Sequence, residues 1–284
     1  MSFDSRFGRV SAFGVGTIFD WRRLLWVSVV AAALPVPTRA ERELTTDRPD
    51  ATESPFTVEP GRFQIEASVA AYERDRHNPE RDDTRVTMWN VAPVNVRIGL
   101  TPASEIQVVV DNYLDVEVEQ PSTGRRDRRR GFGDVTLRYK HNLWGNDGGT
   151  TALGLMPFVK LPTNTDDLGN NSLEGGVIVP FAAELPAGWG LGAMTEVDVI
   201  RDEVDDGYDA VWLNTATVGH DLTERLAGFL ELALEVGPGK PALSFNTGLT
   251  YAVNADLQLD GGVNLGLTRA APDLVLFVGC TSRF

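Results

Sequence analysis

Full charges recur inside otherwise apolar stretches of this sequence. Glu66, Arg97, Arg138, Lys140, Glu196, Asp198, Glu231 and Asp260 each stand in the middle of such a stretch. On a strand, alternate side chains share a face, so each charge would belong to a polar face opposed to an oily one. Turned into a pore, rings of charge set ion preference. Turned into a closed interior, opposite signs pair, and removing one partner of a desolvated pair costs about 3–5 kcal/mol. Both readings stand for these residues. The same parity adds Glu105, Asp111, Asp134, Glu235 and Asp256 as acids, and Arg62 and Arg283 as bases.

Other chemistry finds little support. His77, His141 and His220 fall in a loop and near opposite ends of the stretches, and Ser122, Ser172 and Ser244 have no partner identifiable by spacing. A nucleophile, its base and an orienting group must come together for hydrolysis, so no catalytic residue is assigned. There is no phosphate loop or zinc motif, hence no cofactor and no metal. The acidic runs 166–171 and 202–206 hold hard oxygen ligands but lack EF-hand spacing. Cys280 is the one cysteine; it permits no internal disulfide and shares parity with an oily face. Forty acids against 26 Lys and Arg leave a net charge of −14, which excludes wholesale nucleic-acid binding. The run Arg125-Arg126-Asp127-Arg128-Arg129-Arg130 is expected in a long external loop, either meeting anionic lipopolysaccharide or solutes or balancing the acidic surface.

The elements that would position these charges are strands. After residue 44 no stretch sustains a 3.6-residue period, whereas period two is nearly continuous. Twelve segments are expected: 62–74, 83–99, 104–119, 131–144, 150–162, 173–185, 188–201, 209–221, 225–236, 242–254, 256–267 and 273–284. In 225–236, Leu226, Leu230, Leu232, Leu234 and Val236 oppose Phe229, Glu231, Ala233 and Glu235. The segments are longer than the roughly 5–6 residues of soluble strands, and match the roughly 9–11 tilted residues that cross a bilayer. Connections after even segments are short and those after odd segments mostly longer and charged, the asymmetry of outer-membrane barrels. Trp144, Trp189, Tyr251 and Phe284 lie near segment ends, where aromatic girdles sit. Pro93, Pro157 and Pro180 fall inside segments and demand bulges or kinks. Asn90 sits on the oily parity of its segment, so that strand is expected to shift register at Pro93.

Ahead of the strands, Arg22-Arg23 precede an apolar run, Leu24 to Val36, and Thr38-Arg39-Ala40 offers small residues at a cleavage site. That is a secretory signal peptide over residues 1–40. Residues 41–60 form either a periplasmic tail or a plug in the barrel mouth, with Asp47 and Arg48 as its anchors to interior charges.

The motifs Thr45-Thr46-Asp47-Arg48-Pro49-Asp50, Glu53-Ser54-Pro55-Phe56 and Gly61-Arg62-Phe63-Gln64-Ile65-Glu66 resemble the start of a family of bacterial outer-membrane transporters named for the MetA pathway of phenol degradation. Gly131-Phe132-Gly133-Asp134-Val135 and the ending from Asp260 to Phe284 are similar to it as well. The resemblance implies an outer-membrane β-barrel that takes up small organic, including aromatic, compounds. It carries over no binding residues.

The expectation is therefore an all-β chain: a transmembrane antiparallel up-and-down β-barrel of about twelve strands over residues 61–284, in the outer membrane. Its expected function is passive or facilitated passage of small solutes, without enzymatic activity. Its partners would be outer-membrane lipids, the barrel-assembly machinery and a small-molecule solute, and not nucleic acid. The rivals are a closed structural or adhesive barrel and a lipid-acting barrel enzyme.

Overall fold

The structure, a computed structural model, describes residues 42–76, 78, 83–169, 171–202 and 207–284. The signal peptide, His77, Asn170 and the acids of 203–206 lie outside the described residues. Fifteen strand segments follow in order: β1 Phe63–Asp75, β2 Arg85–Val91, β3 Val94–Thr101, β4 Ser104–Val110, β5 Tyr113–Gln120, β6 Arg125–Gly131, β7 Val135–Trp144, β8 Thr151–Leu161, β9 Glu174–Leu185, β10 Trp189–Arg201, β11 Tyr208–Asp221, β12 Leu226–Val236, β13 Ala242–Asn254, β14 Leu257–Gly266 and β15 Leu274–Arg283. All pairings are antiparallel, and β15 returns to pair with β1 from Gln64 to Arg74. The sheet is closed.

Six of the segments are halves of three kinked staves, so the barrel has twelve. β1 pairs with β3 through Phe63–Ala67 and with β2 through Ala70–Asp75. β4 likewise continues into β5, and β6 into β7. The first break falls at Ala92-Pro93, where Ala92 has φ 53° and proline lacks a donor. Asn112, at the second break, donates its Nδ2 to the Ala92 carbonyl at 2.6 Å and replaces a ladder bond there. At the third, Gly133 donates its N–H to the Asp111 carbonyl at 2.9 Å. The parity of the second stave flips across Pro93, as Asn90 required. Asn90 bonds Asp111 at 2.9 Å on the inside, and Arg97 also points inward.

The other two prolines need no bulge. Pro157 and Pro180 lie within uninterrupted β8 and β9. The β7–β8 ladder skips the row at Pro157, and the β8–β9 ladder skips the Gly154–Pro180 row. Each proline thus turns its missing donor toward a gap in one ladder. A second correction concerns the arginine run. Residues 125–131 are strand β6, not a loop, and the connection is only the turn at 121–124. Arg126, Arg128 and Arg130 face Glu119, Glu117 and Asp115 across β5. Asp115 takes Arg128 at 2.6 Å and Arg130 at 3.0 Å. Opposite charges directly across an antiparallel pair stabilise it, and β5 supplies an acidic column that this run can pair with.

The outer wall is the oily face. Leu230, Leu232, Leu249, Leu259, Leu276 and Val278 are exposed on it. Phe63, Trp144, Trp189, Tyr251 and Phe284 are exposed at the end with the short turns, and Trp89, Tyr113, Tyr208 and Trp212 at the other. These are two aromatic girdles, and the short turns mark the periplasmic side. The chain ends stack there, with the Phe63 and Phe284 rings 4.8 Å apart.

Gly99, at the inner end of β3, has no room for a side chain. A Cβ there would lie 2.6 Å from the Val58 carbonyl oxygen and meet the Glu59 backbone. We expect Gly99→Leu to destabilise the folded barrel by about 1–3 kcal/mol, the usual cost of overpacking. Urea unfolding of detergent-refolded protein reads this directly, and an unchanged midpoint would mean that residues 58–59 do not pack against the wall.

Candidate functional site

The barrel interior is occupied. Residues 42–62 enter at the periplasmic end, rise to mid-barrel at Ala51-Thr52, and descend to the start of β1. At the entrance, Arg42 bonds the Pro102 carbonyl and Asp147 in two periplasmic turns, at 2.8 and 2.7 Å. Arg283 donates to the Arg42 carbonyl at 2.9 Å and pairs with Asp256 at 2.8 Å. On the way down, Asn142 donates to the Pro55 carbonyl at 2.9 Å, and Asn146 holds Thr57 through both its N–H and its hydroxyl.

The densest contacts form around Asp47. Arg97 donates to Glu105 at 2.9 Å and to Glu66 at 2.8 Å, and lies 3.4 Å from Asp47. Lys140 donates to Asp47 at 2.5 Å. Gln107 bridges Asp47 and Glu105, both at 2.7 Å. Three carboxylates meet two cations, and the excess negative charge is met by backbone donors. The Asp47 N–H points at both Glu66 oxygens at 3.1 Å, and the Val58 N–H at Glu105 at 2.6 Å. Arg97, Lys140 and Glu105 side chains are wholly shielded. A buried charge is tolerated only when paired and hydrogen-bonded, and here each is. Burial would push the Asp47 carboxyl up, but the Arg97 and Lys140 charges outweigh it and hold Asp47 well below its ordinary range.

Two further anchors lie across the lumen. Arg48 forks onto Asp260 at 2.7 and 3.3 Å and donates to the Ser68 hydroxyl at 2.6 Å. Its guanidinium lies over the Phe277 ring, 5.8 Å from the centroid. Gly279 is required beneath it, since a Cβ would run into the guanidinium. Glu231 accepts the Ala51 and Thr52 N–H groups at 2.9 and 2.8 Å, the Thr52 hydroxyl at 2.6 Å and Asn246 Nδ2 at 2.7 Å. Arg138 pairs with Glu53 at 2.6 Å. The Thr52 hydroxyl also meets that of Thr215 at 2.6 Å. The wall residues that bond residues 42–62 thus come from β1, β3, β4, β7, β10 to β12, β14 and β15, so the segment is held across the lumen rather than from one side.

Above this level the lumen differs. Met156, Ile178 and Met194 form a buried apolar patch, with Phe158 and Leu213 packed against it. It lies just beyond the top of the segment, where the Glu53 N–H points at Met194 Sδ at 3.3 Å. Glu196 and Asp198 share the inner face of β10 and stay partly exposed. Lys160 pairs with Glu174 at 3.0 Å, and Asp134 accepts from Thr163 and Asn164, tucking the 162–169 connection inward.

All eight wall charges singled out in the sequence therefore face the interior. Glu66, Arg97, Lys140, Glu231, Asp260 and Arg138 all hold residues 42–62, whereas Glu196 and Asp198 stand above them. Sequence reasoning missed Gln64 and Gln107 as network members, although each shares parity with a neighbouring interior acid. It also missed Thr52 and Glu53, for which a segment without periodicity offers no signal. Of the two described histidines, His220 bonds the backbone carbonyls of Asp221 and Ala187, and His141 Nδ1 has no hydrogen-bond partner.

Comparison with known proteins agrees with this architecture. Residues 46–284 match the family model described as "Putative MetA-pathway of phenol degradation". The chain belongs to this family. The matched range begins inside the lumen segment, at Thr46, and runs to the last residue. No curated protein matches the sequence. Among solved structures, the fold is similar to the COG4313 outer membrane channel from Pseudomonas putida F1, with 14% identity, 84% of this chain and 100% of that chain covered, and a TM-score of 0.60. It is also similar to the NanC porin, at 9% identity, 78% and 98% coverage and a TM-score of 0.50. The family member described here shares the closed antiparallel β-barrel fold of these two outer-membrane proteins.

Arg97 is the group on which three acids depend. Arg97→Met would leave Asp47, Glu66 and Glu105 facing one another with Lys140 alone. We expect a loss of about 3–5 kcal/mol in urea unfolding. A loss below about 1 kcal/mol, the scale of an exposed ion pair, would show that water reaches the cluster.

Proposed function

We propose that this barrel is a channel for passive or facilitated uptake of small organic solutes, aromatic ones among them, and that residues 42–62 are its plug. The observation that carries the reading is how the segment is held. It meets the wall through charged and polar groups, which water can replace, rather than through an apolar core. Above it, Met156, Phe158, Ile178, Met194 and Leu213 offer a surface suited to an apolar ring. Glu196 and Asp198 line the route beside that patch. When the plug withdraws, Glu66, Arg97, Arg138, Lys140, Glu231 and Asp260 join the lining. The driving force is the solute gradient. Phe284 and the outward face of β15 are the end read by the barrel-assembly machinery.

One observation favours a second reading. The Asp47 cluster is fully shielded and fully paired, as in a barrel whose interior is purely structural. The two readings separate in planar bilayers and in solute-loaded liposomes. Asp47→Asn with Arg48→Ser removes two anchors while leaving the wall charges in place. The channel reading expects defined conductance steps and faster phenol-sized solute flux in this variant than in the native protein. Equal impermeability of both folded forms, to ions and solutes alike, would leave the structural barrel.

The plug should also respond to pH. Burial, reinforced by the neighbouring Glu231 charge, pushes the Asp50 carboxyl up to about 7. The docked segment then holds a proton that the undocked one releases near pH 4. Docking is fully favoured below that value and weakens as pH rises through about 4 to 7. Burial likewise pushes the Glu53 carboxyl of the same segment up to about 7, with the same sign. Conductance of the native protein is expected to be higher at pH 8 than at pH 5, and Asp50→Asn to reduce the difference. A profile falling with pH would contradict this placement of Asp50.

A further inference from the structure

The outer wall carries a feature that the passage of solutes does not use. Between β14, β15, β1 and β2 it is indented by a groove of about 650 Å³, lined by Ala70, Tyr72, Trp89, Gly261, Leu276 and Val278. The groove exists because Ala70 and Gly261 supply almost no side chain between larger neighbours. Phe277, which faces inward, helps to line it from behind. Its volume lies in the range of about 300–1,000 Å³ that holds small ligands. The Tyr72 and Trp89 rings, 4.9 Å apart, frame its upper end at the outer girdle.

Immediately above that frame the surface becomes basic. Strand alternation puts Arg74 one outward position beyond Tyr72, and cross-strand register places Thr87 beside it. Arg85 follows on β2, and Arg76 just past the end of β1. Arg74 is exposed and has no ion-pair partner among the described residues. Arg85 is 46% exposed, with Glu119 only at 4.0 Å. Arg76 is 54% exposed and shares Asp273 at 2.9 Å. Among the described residues the acids that pair with this group are Glu119 and Asp273, and the exposed Asp83 begins the approach to β2. Three arginines at this rim stand out in a chain with a net charge of −14.

We propose that this face is a specific site for an outer-leaflet lipid with a phosphorylated headgroup, the chemistry of lipid A. An acyl chain would occupy the groove, and the phosphate would meet Arg74 and Arg85, with Arg76 beside them. The charge pattern selects this occupant. A neutral hydrocarbon would leave the arginines without a counterion, and a free phosphate would gain nothing from the groove. Arginine suits the headgroup because its planar fork binds phosphate through two parallel hydrogen bonds. Tyr72 and Trp89 suit the boundary, since their rings prefer the interface between hydrocarbon and headgroups.

The test is native mass spectrometry of the detergent-solubilised, folded barrel, titrated with diphosphoryl lipid A, with its dephosphorylated form, or with inorganic phosphate. A retained adduct is expected for diphosphoryl lipid A alone. Arg74→Ser with Arg85→Ser is expected to weaken it about tenfold or more, the scale of losing a charge-assisted pair. Arg74→Lys with Arg85→Lys, which keeps the charge but loses the fork, should bind more weakly than the native protein and more tightly than the Ser variant, and Ala70→Leu, which fills the groove, should reduce binding. All three sites are on the outer wall, and heat-modifiable gel mobility confirms the fold of each variant. Equal affinity of the native and Ser-substituted proteins, equal retention of both lipids, or an adduct with inorganic phosphate would each overturn the assignment.

Discussion

Backbone polar groups cannot be left unpaired in hydrocarbon, where each costs several kcal/mol, and the rest of this structure follows from that constraint. A sheet exposed to lipid must close, and β15 closes it on β1. Closure creates an inside that cannot be oily, because the outside already is. The three breaks in the staves show how strict the requirement is. Where Pro93 ends a ladder, the Asn112 amide takes over the vacated Ala92 carbonyl. Pro157 and Pro180 survive in mid-strand because the ladder rows facing their missing donors are themselves absent.

A barrel of twelve staves has an interior too wide for wall side chains alone to fill. The chain solves this with its own N-terminal segment. Residues 42–62 have no regular structure, so their backbone donors need partners from elsewhere. Glu66, Glu105 and Glu231 supply them, each accepting two or more bonds from residues 45–58 or from their wall neighbours. The acids then require cations, and Arg97, Lys140, Arg138 and Arg48 meet them. The interior charge pattern is thus set by an irregular segment's unmet hydrogen bonds. The same polar character that holds the segment makes its release into water feasible, and this links the packing to the proposed gating.

The outside obeys a different rule. Small residues on a lipid-facing wall cost little, because lipid fills the gap, so Ala70 and Gly261 can indent it without loss of closure. The arginine run illustrates the same freedom beyond the girdle. Six consecutive charges make an unlikely strand in isolation, yet β6 forms because Asp115, Glu117 and Glu119 stand opposite.

Much of this was legible in residue order. Period-two alternation, segment length and the asymmetry of connections determined the closed, twelve-stave barrel, since each depends only on local spacing. The parity of Glu66, Arg97, Lys140, Glu231 and Asp260 determined that they face inward, and the conflict between Asn90 and Arg97 located the kink at Pro93. What tertiary structure alone decided is who meets whom. Asp47 joins Arg97 and Lys140, and Arg48 crosses to Asp260, 212 positions away in sequence. No local period encodes such a contact, because an irregular segment has no face and its register against the wall is chosen by charge and hydrogen bonding in three dimensions. For the same reason the arginine run reads as a loop in sequence and becomes a strand only when its acidic partner is laid beside it.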